Sequence, residues 1–277
     1  MSDDADEVSG VPAASGAGSP DPAGSQASPG TQAPAAEPHH AHHAPAPVRI
    51  SRRPWIAAGV FALIAVAAVG AVIVIDRARE SFGFESAIMS ALVASRVPWL
   101  TGPALALDWV GSGMISGIVV PALVVIALLL WRRPWGATFF LVAILASGAV
   151  TQVVKVLVGR VRPEDILVHP DFGSFPSGHS SNAAVIAAAL GLIFMRTWVW
   201  VAGAAYTVLM MLSRMYLGAH WVSDTVAGML IGAGVALIVW APFAYKLYRE
   251  NRLRHPPIWR STAAEARAGA GGSSPAA

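Results

Sequence analysis

Six runs of predominantly apolar residues set the fold of this chain before any finer pattern is considered, each near the roughly 20 residues a helix needs to cross a bilayer's hydrocarbon core. Lipid offers no water to backbone N–H and C=O groups. A spanning segment must satisfy them internally, and a helix does so within one segment. The runs are Trp55–Ile75, Ser112–Trp131, Gly136–Val158, Ser180–Met195, Trp198–Tyr216 and Val222–Tyr245. The fourth is short for a full span, and its helix is expected to start at or just before His179. The expected fold class is all-α, a polytopic six-helix transmembrane bundle. Only 13% of the residues are charged, against roughly 25% in soluble globular chains.

The stretch between the first two runs, residues 76–111, is moderately apolar but broken by Arg96 and Pro98, so it reads as one or two short interfacial helices. Residues 1–48 are Ala, Pro, Gly, Ser and Asp with almost no large apolar side chain, a composition that cannot offset the entropy of ordering. They are read as a disordered tail, and His39, His40, His42 and His43 within it as solvated rather than metal-binding. Residues 49–250 form the six-span domain, and 251–277 form a basic, then Ala/Gly/Ser-rich disordered tail. The first run lies far from Met1 and is too long for a signal-peptide core, so an uncleaved anchor is expected.

The net charge of +3 and pI near 9.7 do not point to nucleic acid, because the cations sit in short clusters between apolar runs. Arg49, Arg52, Arg53, Arg132, Arg133, Arg196, Lys246, Arg249, Arg252 and Arg254 all fall on one side of a six-span layout. The positive-inside rule makes that side cytoplasmic, together with both termini. Trp55, Trp131, Trp135, Trp198, Trp200, Trp221 and Trp240 near the run ends suit an interfacial belt, although core packing also uses tryptophan. The absence of cysteine excludes disulfides, thiolate chemistry and zinc–thiolate sites.

Three polar blocks interrupt the apolar sequence, all on the opposite, extracytoplasmic side. Ionisable groups are costly at membrane depth and mark working sites there. The first block holds Lys155, Arg162 and Pro163; seven residues are about two helical turns, so both cations point to one place. The second, Pro176-Ser177-Gly178-His179, precedes an apolar helix. Ser177 suits an N-cap, and the helix mouth with Gly178 suits an anion. The third holds Ser213, Arg214, His220 and Asp224. His and Asp four apart share a helix face, so Asp224 can accept the Nδ1 proton of His220 and leave Nε2 free.

In this order and on one side, KxxxxxxRP, PSGH and SRxxxxxHxxxD resemble the type 2 phosphatidic acid phosphatase family, whose superfamily includes bacterial non-specific acid phosphatases and vanadium haloperoxidases. The resemblance covers about Trp55 to Tyr245 and fills every motif position. It implies that His220 attacks phosphorus to give a phosphohistidine, that Asp224 holds its tautomer, and that His179 protonates the leaving oxygen. It also implies that Lys155, Arg162, Ser177, Gly178 and Arg214 bind the phosphate, with no metal and no cofactor. Glu164 and Asp165 are the carboxylates that could hold magnesium nearby, and a solvated loop is preferred for them. The partners expected are a lipid phosphate substrate and membrane lipids.

The expected activity is metal-independent hydrolysis of a lipid phosphomonoester or diphosphate at the outer face of the cell membrane. Polyprenyl diphosphate, phosphatidic acid and phosphatidylglycerol phosphate are the candidate substrates. Family analogy slightly favours the undecaprenyl diphosphate type of bacterial envelope recycling. Two alternatives remain: a lipid phosphotransferase using the same phosphohistidine, and a non-catalytic anion or lipid transporter. Gly228 and Gly232 form a GxxxG that fits either helix dimerisation or packing within one bundle.

Overall fold

Proline sets the start of four helices among the described residues: its missing N–H is one that the first helical turn leaves unpaired anyway. The computed structural model describes residues 50–76, 81–169 and 171–252. The N-terminal tail, its histidines, Arg77, Arg79 and Glu80, and the chain beyond Arg252 lie outside the described residues. The helices are α1 (Arg53–Ile75), α2 (Gly83–Ala94), α3 (Pro98–Gly111), a π-helical turn (Ile115–Val119) leading into α4 (Val120–Leu130), α5 (Pro134–Val158), α6 (Gly178–Phe194), α7 (Thr197–Tyr216) and α8 (Val222–Arg252). No strand occurs among the described residues.

The six-run reading is met in part. Four helices, α1, α5, α7 and α8, are long and apolar enough to cross a membrane. A fifth span exists if α3 and the helix from Ile115 to Leu130, bent by 55° at their break, are taken together. That bend differs from the expected straight run beginning at Ser112. The helix of α6 begins at Gly178, as expected, but its 17 residues are fewer than a full span. Two helices do occupy the region between the first two runs, and α8 runs past Tyr245 to Arg252.

Large apolar side chains face outward along the long helices, among them Phe61, Ile64, Val156, Leu157, Val201 and Val208. So wide an apolar exterior is a lipid-facing surface, which makes this a membrane protein. Trp55, Trp131, Trp135 and Trp198 are exposed near helix ends. Trp221 is not part of that belt: it is buried and gives its indole N–H to the Val161 carbonyl at 2.9 Å.

Because lipid tails are as apolar as the core, close packing rather than water exclusion holds such a bundle together. Helix α6 sits against α5, α7 and α8 and is buried on nearly every side. Its Ala, Ser and Gly residues permit this. The GxxxG of α8 supplies the matching surface: a side chain on Gly228 would collide with the Ser177 carbonyl, and one on Gly232 with the Ser181 carbonyl. The motif therefore packs α8 onto α6 within one chain. Phe139, Phe140, Leu128, Ile193 and Leu247 fill the core at one end. Val66, Ile73, Phe175, Ile231 and Val235 fill it toward the other.

The two ends differ in character. At one, Glu250 of α8 caps α5, its carboxylate accepting the Trp135 and Gly136 amides at 2.9 and 3.0 Å. A carboxylate is well placed against the positive end of a helix. At the other end the C-termini of α5 and α7 meet the N-termini of α6 and α8, and the three polar blocks gather there.

Candidate active site

Lys155 lies in the last turn of α5, buried, and Gly159 ends that helix in the left-handed region with φ +57°. Arg162 is therefore not on the helix, contrary to the two-turn reading. It returns by a loop, giving Nη1 to the Ala219 carbonyl at 2.6 Å and Nη2 to the Gly173 carbonyl at 2.7 Å. Lys155 and Arg162 do meet, across the Asp171 carboxylate: Lys155 Nζ is 2.7 Å away, and Arg162 pairs with its other oxygen. Burial disfavours the Asp171 charge, but the hydrogen bond and charge of Lys155, with Arg162, outweigh it and hold the carboxyl below its usual range. Burial pulls the Arg162 guanidinium below its ordinary value, opposed by Asp171 and Asp224.

Ser177 caps α6 as expected, its Oγ accepting the Ser180 amide at 3.4 Å, while its own amide binds the Asp224 carbonyl at 2.9 Å. A side chain at Gly178 would meet nothing within 4 Å, so this helix mouth faces open space. His179 Nε2 sits among Ser112 Oγ (3.2 Å), the Asp108 carbonyl (3.3 Å) and the Asp108 carboxylate (3.4 Å). Asp108 also pairs with Arg214, whose buried Nε has no hydrogen-bond partner among the described residues. A buried N–H left unpaired is costly unless a ligand completes it.

His220 is in the short loop between α7 and α8 and is 1% exposed. Its Nδ1 is 2.7 Å from the Ser174 carbonyl and 3.7 Å from the Asp224 carboxylate. The nearer acceptor is thus the carbonyl, not the expected aspartate. Asp224 is already committed, to Arg160 at 2.7 Å and to the Trp221 amide at 2.8 Å. A carbonyl can only accept, so Nδ1 carries the proton and Nε2 keeps its lone pair, 3.4 Å from Arg162 Nη1. Burial pushes the imidazole down to about 4; Asp224 opposes this, and Arg162 and Arg214 reinforce it.

Behind His220 lies an ion network that the sequence reading did not find. Arg160 bridges Asp224 and Glu85, with Glu85 2.6 Å from its other nitrogen. Glu85 is fully buried and also accepts from the Ser223 amide (2.8 Å), the Ser223 hydroxyl (2.7 Å) and the Phe82 amide (3.0 Å). Arg160, Glu85, Asp108, Asp171 and Ser174 stand outside the motif spacings, and no local pattern marks them. Glu164 and Asp165 are exposed; the Asp165 carbonyl accepts Arg96 at 2.7 Å, tying the α2–α3 turn to this loop.

A cavity of about 650 Å³ opens from this end. Asp171, Gly178, His179 and Arg214 line it, together with faces of α3, the π-helical turn, α5 and α6. Lys155, Arg162 and His220 are absent from its lining, and the first two touch Asp171, which is present.

The PAP2 superfamily profile matches residues 136–248, which hold all three polar blocks. Phosphatidylglycerophosphatase B of Bacillus subtilis (strain 168) is 30% identical over 160 residues, covering 53% of this chain and 77% of that protein. Decaprenylphosphoryl-5-phosphoribose phosphatase of Mycobacterium tuberculosis (strain ATCC 25618 / H37Rv) is 33% identical over 165 residues, covering 55% and 85%. The crystal structure of a transmembrane PAP2 type phosphatidylglycerolphosphate phosphatase from Bacillus subtilis matches with a TM-score of 0.58 at 27% identity, across 72% of this chain and 98% of that one. With its motif residues gathered at one end of the helical bundle, the chain belongs to the PAP2 superfamily.

Proposed function

We propose that this protein hydrolyses a lipid phosphate, phosphomonoester or diphosphate, through a phosphohistidine on His220 and without a metal. The observation that carries the reading is the grip of Lys155 and Arg162 on one carboxylate beside a histidine whose Nε2 is unprotonated and lies 3.4 Å from Arg162 Nη1. Asp171 there stands in for an anion. A phosphoryl group in its place would meet the same two cations, the orphan Nε of Arg214, the Ser177 hydroxyl and the Gly178 amide. These donors would hold the three equatorial oxygens as charge redistributes in the transition state.

In the first step Nε2 of His220 bonds to phosphorus as the bond to the lipid oxygen breaks, and the imidazolium of His179 gives that oxygen its proton. Nδ1–H stays on the Ser174 carbonyl, with the Asp224 charge nearby to stabilise the cationic ring. In the second step water attacks the phosphohistidine, neutral His179 takes the water's proton, and the P–N bond breaks to release inorganic phosphate. Both histidines return to their starting states.

Six crossings, with α3 to α4 forming one bent span and α6 a short buried one, would put the basic end bearing Arg52, Arg53, Arg132, Arg133, Arg196 and Lys246 in the cytoplasm. The site would then face outward, with α2 lying at the interface. The test is phosphate release by the detergent-solubilised full chain with EDTA present, from polyprenyl diphosphate, phosphatidic acid and phosphatidylglycerol phosphate. Release that persists in EDTA and is lost in His220→Ala supports the reading. No release from any of these lipids by folded protein sinks it.

A further inference from the structure

We propose that Glu85 is a positioning residue for His220: by sharing Arg160 with Asp224 it leaves the aspartate's negative charge uncancelled, so that this charge can stabilise the ring as Nε2 bonds to phosphorus. The proposal rests on the hydrolase reading above. It extends the site to α2, outside the residues 136–248 that the family profile matches.

Glu85 lies in the first turn of α2 and is fully buried. One carboxylate oxygen accepts the Ser223 amide at 2.8 Å and the Ser223 hydroxyl at 2.7 Å. The other takes Arg160 at 2.6 Å and the Phe82 amide at 3.0 Å. The Ser223 hydroxyl in turn accepts, at 2.8 Å, from the same Arg160 nitrogen that pairs with Asp224. Met89 of α2 clusters with Met215 and Trp221, so a second contact holds this helix against the loop that carries His220.

Charge decides what this arrangement does. Were Arg160 bonded to Asp224 alone, His220 would face a neutral pair with little net field. Two buried carboxylates share the guanidinium instead, an arrangement that is costly while nothing else answers the second charge. The Asp224 oxygen that accepts the Trp221 amide also lies 3.7 Å from His220 Nδ1. Once Nε2 is bonded to phosphorus, a ring that keeps its Nδ1 proton is cationic, and the uncancelled charge acquires a partner. The surplus carboxylate therefore favours the covalent state over the resting one, the kind of interaction that speeds a step rather than tightening binding throughout. Arg162 and Arg214 oppose positive charge on the ring from the phosphate side, so the aspartate has two cations to outweigh.

Vanadate takes a bond from a nucleophile in a shape like the phosphoryl transition state, whereas inorganic phosphate is held by the cations alone. The ratio of their inhibition constants therefore reads the bond to Nε2. The experiment measures both constants on the detergent-solubilised full chain, with kcat/KM for whichever of the three lipids above is cleaved fastest. In Glu85→Gln the vanadate constant should rise about ten-fold or more relative to that for phosphate, and kcat/KM should fall in step. In Arg160→Met with Glu85→Gln, where Asp224 again keeps its charge, the ratio should return toward the wild type, which a role in packing alone would not produce. A ratio taken within one preparation does not depend on how much of a variant folds. An unchanged ratio in Glu85→Gln, or a double variant no nearer the wild type than the single, overturns the proposal and leaves the hydrolase standing. So does a single variant that never folds beside a folded double with the wild-type ratio, because Glu85 would then serve stability alone. Failure of the wild type to cleave any of the three lipids sinks the hydrolase reading instead.

Discussion

The two histidines stand in unlike walls. His220 is backed by charges that have all found partners: Ser174 on its Nδ1, then Asp224, Arg160 and Glu85 in one buried chain. His179 stands at the edge of a cavity, next to an arginine with an unpaired N–H. The first wall fixes one ring in one tautomer, as the proposed nucleophile would require. The second is left incomplete at Arg214 Nε, as the proposed phosphate-binding surface would require. On the proposed mechanism, satisfaction of polar groups would separate the part of the site that holds still from the part that binds.

The largest test of this contrast is Arg160→Met. It leaves Glu85 and Asp224 as buried carboxylates without their common cation, a loss of about 3–5 kcal/mol for such a pair. Thermal unfolding in detergent should show a steep fall, with little active protein recovered. The double variant Arg160→Met with Glu85→Gln should regain part of it. A single variant as stable as the wild type would mean the wall is not fixed by these charges.

Asp108→Asn attacks the other wall. It removes the charge that holds both His179 and Arg214 and should lower kcat about 10–100-fold, with a smaller fall in unfolding temperature than Arg160→Met gives. A larger loss of stability than of turnover would make the two walls alike. The third test is by pH. Burial depresses His220 to about 4 from an ordinary value near 6.5, so between those values the unfolded chain binds a proton that the folded one refuses. Stability contributed by this ring is present above pH 6.5 and declines as pH falls toward 4. Nitrogen-15 spectra of the histidines in detergent should show His220 neutral at pH 5.5. Protonation near 6.5 would place it in an open, hydrated setting.

Sequence carried the helices and motif residues further than it carried their geometry. Apolar runs disclose spans because length and hydropathy are local properties, and the Ser177 cap and the α6 start follow from adjacent residues. The bend between α3 and the Ile115 turn falls at Gly111-Ser112-Gly113, where Gly113 takes a left-handed φ of +47°, a break that the length and hydropathy of the apolar run do not report. The Lys155–Arg162 spacing suggested one helix face, but Gly159 ends the helix, and a loop closes the pair around Asp171 instead. Asp224 lies at helical spacing from His220, yet Arg160 and the Trp221 amide claim its oxygens, and a backbone carbonyl from a loop 46 residues away takes its expected place. Glu85 reaches Arg160 from 75 residues away. Such partners are chosen by tertiary packing, and no period in the sequence reports them.

Asp171 belongs to neither wall, and it gives the smallest and most specific prediction. Its side chain is 65% exposed while the Lys155 and Arg162 chains that hold it are nearly buried, so the carboxylate reaches in from a loop to occupy cations the fold has already positioned. Lys155 favours its ionised form, so on the proposed mechanism it would compete with an incoming phosphoryl group rather than yield by protonation. Asp171→Asn should lower the inhibition constant for inorganic phosphate. The change should be modest, roughly two- to five-fold, because ion pairs with so exposed a member are worth little in water. Turnover of bound lipid should move less than phosphate affinity, since the displaced carboxylate has no role in the proposed steps. Weaker phosphate inhibition in the variant would instead make Asp171 part of the holding wall, closing the site around the anion rather than standing in its way.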